Sequence, residues 1–218
     1  MAEKRTTYHH GDLRAALIAA GIELARQGGP QAVVLRAVAR IVGVAPNSAY
    51  GHFPTLAALK SAVAQRAQTE MGAAMAAHLD AVEDAAPADP RQAATAYLRE
   101  VGRSYVHFAI DEPGLFRTAM GGSPAGLRVP GGTPGADDGP EPDTLLLRAL
   151  TRLTDAGCLR PADRSRAVTA SWATVHGLST LFLDLLAPVP AAEREAAIDD
   201  ALDVLVAGLT ARGAGPVG

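Results

Sequence analysis

Residues 35–53 read LRAVARIVGVAPNSAYGHF, and this stretch decides the fold. Leu35, Val38, Ala39 and Val42 recur at i, i+3, i+4 and i+7, the apolar face of a short helix. Gly43 supplies a residue able to adopt the left-handed conformation that stops it. Pro46 suits the first position of a second helix, where its missing N–H would have had no intrahelical partner. That helix carries Asn47, Ser48, Tyr50 and His52 as hydrogen-bonding side chains, leaving Ala49 and Phe53 to pack inward. Helix, glycine turn and helix with a polar outer face form the helix-turn-helix pattern that enters a DNA major groove.

Composition sets this pair of helices in an all-α chain. Hydrophobic residues make up 48% of the 218, aromatics only 4%, and the good helix formers Ala, Leu, Arg and Glu dominate. The length suffices for a substantial core. The single cysteine, Cys158, rules out an internal disulfide and suits a reducing cytoplasm; burial is the better reading for it than nucleophilic chemistry. The start, MAEKRTTYHHGD, lacks the apolar core of a secretory signal, and no apolar run reaches membrane-spanning length. A soluble cytoplasmic protein without membrane contact is expected. Residues 1–66 hold eight Lys/Arg against three Asp/Glu, a balance of +5, whereas the rest carries −8. A basic head on an acidic body points to a polyanion met by the head alone.

Working outward, residues 12–27 predict a first helix with Leu13, Leu17, Ala20 and Leu24 on one face, closed by Gly28-Gly29-Pro30. Lys4, Arg5, His9 and His10 precede it and could form an arm along a phosphate backbone. Downstream, Leu59, Val63, Ala67, Met71, Met75 and Leu79 mark a long helix from 56 to about 80. The expected division is a head at 1–55 and a body at 56–218. Within the body, residues 121–142 hold seven Gly and five Pro and read as a flexible surface loop. Helices are predicted around it at 91–110, at 144–156 with Leu146, Leu147, Leu150 and Leu153 inward, from about 162 to 186, and after Pro190 to the end.

The two last helices are apolar over wide arcs. Leu178, Leu181 and Leu185 lie beside the stripe of Val168, Trp172, Val175 and Phe182; Leu202 and Leu205 join Ile198, Leu209 and Val204 on the final helix. Such faces suit a homodimer interface, and a helix-turn-helix head works in symmetric pairs. The body also holds six of the nine aromatics. Tyr97, Val101, Tyr105 and Phe108 share one helix side, Phe116 follows, and Trp172 lies one turn before His176. With Met71 and Met75 they could wall an apolar effector cavity with His176 as its polar handle, although for each residue alone plain core packing is the better reading. Phosphate loops, zinc spacings and catalytic constellations are absent from the sequence, so no enzyme, cofactor or metal is expected.

The order of parts resembles the TetR family of bacterial transcriptional regulators. The resemblance is strongest over about residues 8–66, with Gly43-Val44 and Tyr50-Gly51-His52-Phe53 as its signature, and WATVHGL at 172–178 looks like a subgroup with a Trp-His-Gly motif. It implies a dimer on palindromic double-stranded operator DNA. It implies base-facing positions at Asn47 and Ser48 and phosphate contacts at Tyr50 and His52, as amide, hydroxyl and ring donors would allow. Three positions depart from the family: Ala45 replaces a capping Ser or Thr, Val34 a frequent Thr, and Leu56 a frequent Lys. Gly51 also weakens the reading helix by ~1 kcal/mol against Ala. Binding should then lean on Arg36, Arg40, Lys60 and the N-terminal arm. The function expected is a repressor released by an apolar or amphipathic small molecule. An effector-independent architectural DNA-binding protein is the alternative, and a helical carrier or enzyme the remote one.

Overall fold

The computed structural model of the chain describes residues 10–83, 87–121 and 140–211, with side chains from residue 13 on. The N-terminal arm and all but the ends of the expected 121–142 loop lie outside these residues. Helices α1 (His10–Ala32), α2 (Leu35–Val42), α3 (Pro46–His52), α4 (Leu56–Glu83), α5 (Pro90–Asp111), α6 (Pro113–Met120), α7 (Pro142–Asp155), α8 (Arg164–Leu183) and α9 (Ala191–Thr210) follow in order. Among the described residues there is no strand, and none of the helices is long and apolar enough to cross a membrane. The chain is all-α, as its composition requires.

Two compact units divide it. The first takes the chain up to Gln68 together with the segment beginning at Gly114; the second takes Thr69–Pro113 and the chain from α7 on. Helix α4 therefore contributes to both, and α6 belongs with the head.

In the first unit α1 packs on α2 and α3, which pack on each other. Leu17, Ala20, Ile22 and Ala25 face the core, while Leu13 and Leu24 stand half-exposed. The inward face of α1 is thus rotated from the expected one. Gly28 and the left-handed Gly29 (φ 66°) break the helix before Pro30. Proline has no N–H, so the carbonyl of Arg26 loses its intrahelical donor there. Gly114 at the start of α6 comes close to this weak point: a Cβ on Gly114 would fall 2.2 Å from the Ala25 carbonyl oxygen and 2.6 Å from that of Arg26. Gln68 Nε2 donates to the Ala119 carbonyl at 3.0 Å, tying α4 to the far end of α6.

The second unit is built around α5, which packs on α7, α8 and α9. Asp89 caps α5 by accepting from the Gln92 N–H at 3.0 Å. Leu145, Leu146, Ala149, Leu150 and Leu153 seat α7, with Leu147 half-exposed. Helix α9 turns Ile198, Leu202 and Val206 inward. Gly102 allows its approach, since a Cβ there would lie 2.5 Å from Leu202 Cδ2. Two ion pairs and a hydrogen bond fix the register: Arg99 with Asp203, Arg103 with Asp199, and His107 Nε2 with Glu195 Oε2 at 2.9 Å. Each step is four residues up α5 and four down α9, so the two run antiparallel. Single exposed pairs contribute little, but a spaced row penalises slippage.

Helix α8 ends at Leu183 rather than at 186, and turns carry the chain to Pro190. Arg91 reaches the carbonyls of Ala156 (3.3 Å) and Gly157 (3.1 Å), satisfying acceptors beyond the end of α7.

Replacing Gly114 by Ala sets a methyl group against backbone oxygens that cannot rotate away. Urea denaturation of Gly114→Ala is expected to show a loss of about 1–3 kcal/mol; an unchanged midpoint would contradict this packing.

Candidate functional site

The exposed face of the first unit is set by what its helices bury. Leu35, Val38 and Ala39 of α2, with Ala49 and Phe53 around α3, form an apolar seam. Gly43, at φ 78°, ends α2: its N–H donates to the Arg40 carbonyl and the Val44 N–H to the Ala39 carbonyl at 3.0 Å. With the seam closed, Asn47, Ser48 and Tyr50 are left outside, Tyr50 being 47% exposed; His52 is half-buried. Arg36 and Arg40 are exposed on α2, and Lys60 is half-exposed near the start of α4. The polar residues singled out on α3 therefore share one short helix whose opposite side is core.

The departures at Val34 and Ala45 have a visible structural meaning. Both are N-cap residues, of α2 and α3, and neither offers a side-chain cap. Apolar Val34 (42% exposed) and Leu56 (40%) stand in solvent. Helix α4 does receive a cap, one that the helical periodicity gave no sign of: Thr55 Oγ1 accepts from the Ala58 N–H at 3.1 Å. Gly51 lies in α3, and a Cβ added there would meet nothing within 4 Å.

The residues expected to wall an effector site divide between the units. Phe116, on α6, falls in the first; Met71, Met75, Tyr97, Val101, Tyr105, Phe108, Trp172 and His176 fall in the second. Only Trp172 and His176 of these are half-exposed; the others are buried. The rings of Trp172 and His176 stack, with centroids 4.8 Å apart and planes at 6°. His176 Nδ1 lies 3.2 Å from the Tyr105 hydroxyl, a hydrogen bond whose direction follows the imidazole tautomer. Burial holds the His176 imidazole below its usual range and pushes the Tyr105 phenol far above its own.

Two buried hydroxyls of the same unit, Tyr97 and Ser171, find no hydrogen-bond partner among the described residues. Tyr97 is covered on its face by Arg152, 3.9 Å from the ring centroid, and Arg148 at 5.7 Å. Glu83 pairs with Arg152 and, at 3.7 Å, with Arg148, and the Arg152 hydrogen bond lowers its carboxyl pKa. Nothing in the helical periodicity forecast this group.

The residues expected at a dimer interface also separate. Leu185 (76% exposed) and Leu181 are open, and so is Val204 (73%) on α9; Leu178 and Leu205 are half-buried. Leu202 is instead packed inside its own bundle against α5. The α5–α9 register turns it inward, which removes it from any outer face.

Both units match known family descriptions. Residues 17–70 match "Bacterial regulatory proteins, tetR family", and residues 98–205 match "Tetracyclin repressor-like, C-terminal domain". The chain belongs to the TetR family. No curated protein sequence matches it closely enough to count as a relative. Among solved structures, a protein of unknown function from Rhodococcus sp. RHA1 is 27% identical, with 94% of this chain and 100% of that one covered and a TM-score of 0.63. A single-residue variant of TetR from Acinetobacter baumannii AYE, in complex with minocycline, is 20% identical over 96% and 100%, TM-score 0.61. A tetR-family transcriptional regulator from Streptomyces coelicolor is 21% identical over 95% and 84%, TM-score 0.59. At 20–21% identity, the last two show a shared fold.

Two outcomes follow from the geometry of these sites in a TetR-family chain. Gly51→Ala is expected to raise the melting temperature, equivalent to about 1 kcal/mol, because Ala suits a helix interior better and meets no neighbour; a fall would show hidden crowding. His176 has a folded-state pKa below its ordinary 6.5. Its contribution to stability is therefore complete above pH 6.5 and is lost as the pH falls toward the folded value. His176→Gln should flatten that part of the acid limb in denaturation curves; parallel limbs for both proteins would refute it.

Proposed function

We propose that the chain is a dimeric, DNA-binding transcriptional repressor that leaves a palindromic operator when an apolar or amphipathic small molecule occupies its second unit. The observation that carries this reading is the outward row of Asn47, Ser48 and Tyr50 over a closed apolar seam, in a head of net positive charge. Amide and hydroxyl groups on a short helix read base edges, and Arg36, Lys60, Tyr50 and His52 hold the backbone. Half-sites one helical turn apart, ~34–36 Å, then require two heads held in a pair.

The pairing face is Leu181, Leu185 and Val204, apolar side chains standing open on and beside α8 and α9. Covering these side chains with a second copy would take apolar surface out of water. For the effector, the stacked Trp172–His176 pair at the Tyr105 hydroxyl supplies an aromatic wall with a polar tip. The unpartnered Tyr97 and Ser171 hydroxyls supply further places for a ligand's polar atoms. The Acinetobacter relative was captured with minocycline, which supports a small-molecule effector here. Effector and operator would weaken each other's binding by the same factor. The protein acts by binding alone, in the cytoplasm, without a catalytic step.

A second reading, operator binding without an effector, draws on the burial of Met71, Met75, Tyr97, Val101, Tyr105 and Phe108, which is what a filled core would give. Fluorescence anisotropy on a bound duplex separates the two: relief by any tetracycline-sized amphiphile supports the first, and binding that a broad ligand panel never relieves supports the second. Leu185→Asp with Val204→Asp is expected to shift sedimentation to the monomer and weaken operator binding about 10²–10⁴-fold, the avidity of a linked pair. A double variant that stays dimeric would place the interface elsewhere.

A further inference from the structure

Arg14, on the first turns of α1, stands apart from the helix-turn-helix in sequence but not in space. Its guanidinium lies over the ring of Phe53, 5.3 Å from the centroid. Phe53 is the C-cap of α3 and is buried, so the ring is a fixed platform at the end of the helix that carries Asn47, Ser48 and Tyr50. Arg14 itself is exposed, and among the described residues no carboxylate pairs with it. The other α1 arginine, Arg26, is by contrast held by Glu23 at 2.8 Å.

A ring face attracts the guanidinium through its quadrupole and takes up none of its N–H donors by hydrogen bonding to an acceptor atom. The contact biases Arg14 toward the end of α3, and its planar fork matches two oxygens of a phosphate. The need for such a cation is set by the same head. Val34 and Leu56 present exposed apolar side chains and donate nothing to an anion.

We propose that Arg14, positioned by Phe53, is a DNA-backbone phosphate contact of this head, supplying grip that Val34 and Leu56 do not. The inference rests on the DNA-binding reading above and adds to it a residue outside the helix-turn-helix. The contact is to phosphate, so it carries affinity and register but no base preference.

The test uses the full-length protein and the duplex that it enriches from a random pool, with an unrelated duplex as control. Binding is titrated by anisotropy over a salt series. Arg14→Ala is expected to lower the slope of log K against log salt by about 0.9 per head and to weaken both duplexes by a similar factor. Arg14→Lys, which keeps the charge, should keep most of the slope. Thermal melting of each variant is read alongside. An Arg14→Ala protein whose slope is unchanged overturns the proposal, whether or not it melts lower; a lower melt with an intact slope assigns Arg14 to packing on Phe53 alone. If the wild-type protein binds neither duplex, the DNA-binding reading fails and this contact with it, a result distinct from an altered variant beside an active wild type.

Discussion

The head depends on one backbone event, the left-handed turn at Gly43. It ends α2 and redirects the chain so that Ala49 and Phe53 close on Leu35, Val38 and Ala39. A side chain at that position would be strained in any context, because φ 78° is disfavoured for residues with a Cβ. With the seam closed, α3 has only one side left for polar groups. The orientation of Asn47, Ser48 and Tyr50 is therefore a consequence of burial elsewhere, not of any interaction that they make themselves. The same seam places Phe53 where Arg14 can rest on it.

The second unit is governed by register in an analogous way. The three-step row of polar pairs between α5 and α9 and the missing side chain at Gly102 together determine which side of α9 is inside. Ile198, Leu202 and Val206 fill that side, and Val204 is thereby left outside with Leu185. An apolar helix of this kind does not bury all of its hydrophobic residues within its own bundle, and Val204 is the surplus left in solvent. Inside, satisfaction of polar groups is incomplete at Tyr97 and Ser171, while Tyr105 and His176 answer each other.

Much of this is legible in the sequence where a single pattern has no competitor. The every-fourth-residue stripe on α4 is buried from Leu59 to Leu79, because no neighbouring apolar row contests it. The turn glycine, the Pro46 start and the polar face of α3 are equally plain. Buried faces depart from expectation where Ala-rich or Leu-rich helices offer two adjacent apolar rows. Ile22 and Ala25 displace Leu24 on α1, Leu145 and Ala149 displace Leu147 on α7, and Val206 displaces Leu205 on α9. Hydrophobicity alone does not choose between rows about 100° apart; the partner helix does. The membership of α6 and Phe116 in the head's unit is hidden for a different reason. It depends on Gly114 meeting the carbonyls at the broken end of α1, a contact between residues about ninety positions apart in the chain. The Arg14–Phe53 contact and the α5–α9 row are likewise long-range pairings that periodicity does not encode.

The family supplies a frame in which all of these features have a use, yet the head keeps an unusual balance, with uncapped helix starts at α2 and α3 and apolar side chains near its basic ones. That this head reads sequence is the central claim. The direct measurement is a selection of bound duplexes from a random pool by the full-length protein, followed by sequencing. The expected product is an inverted repeat whose half-sites are centred about one helical turn, ~34–36 Å, apart or a multiple of it. Recovery of no enriched sequence, with binding that is equal on all duplexes or absent, would contradict it.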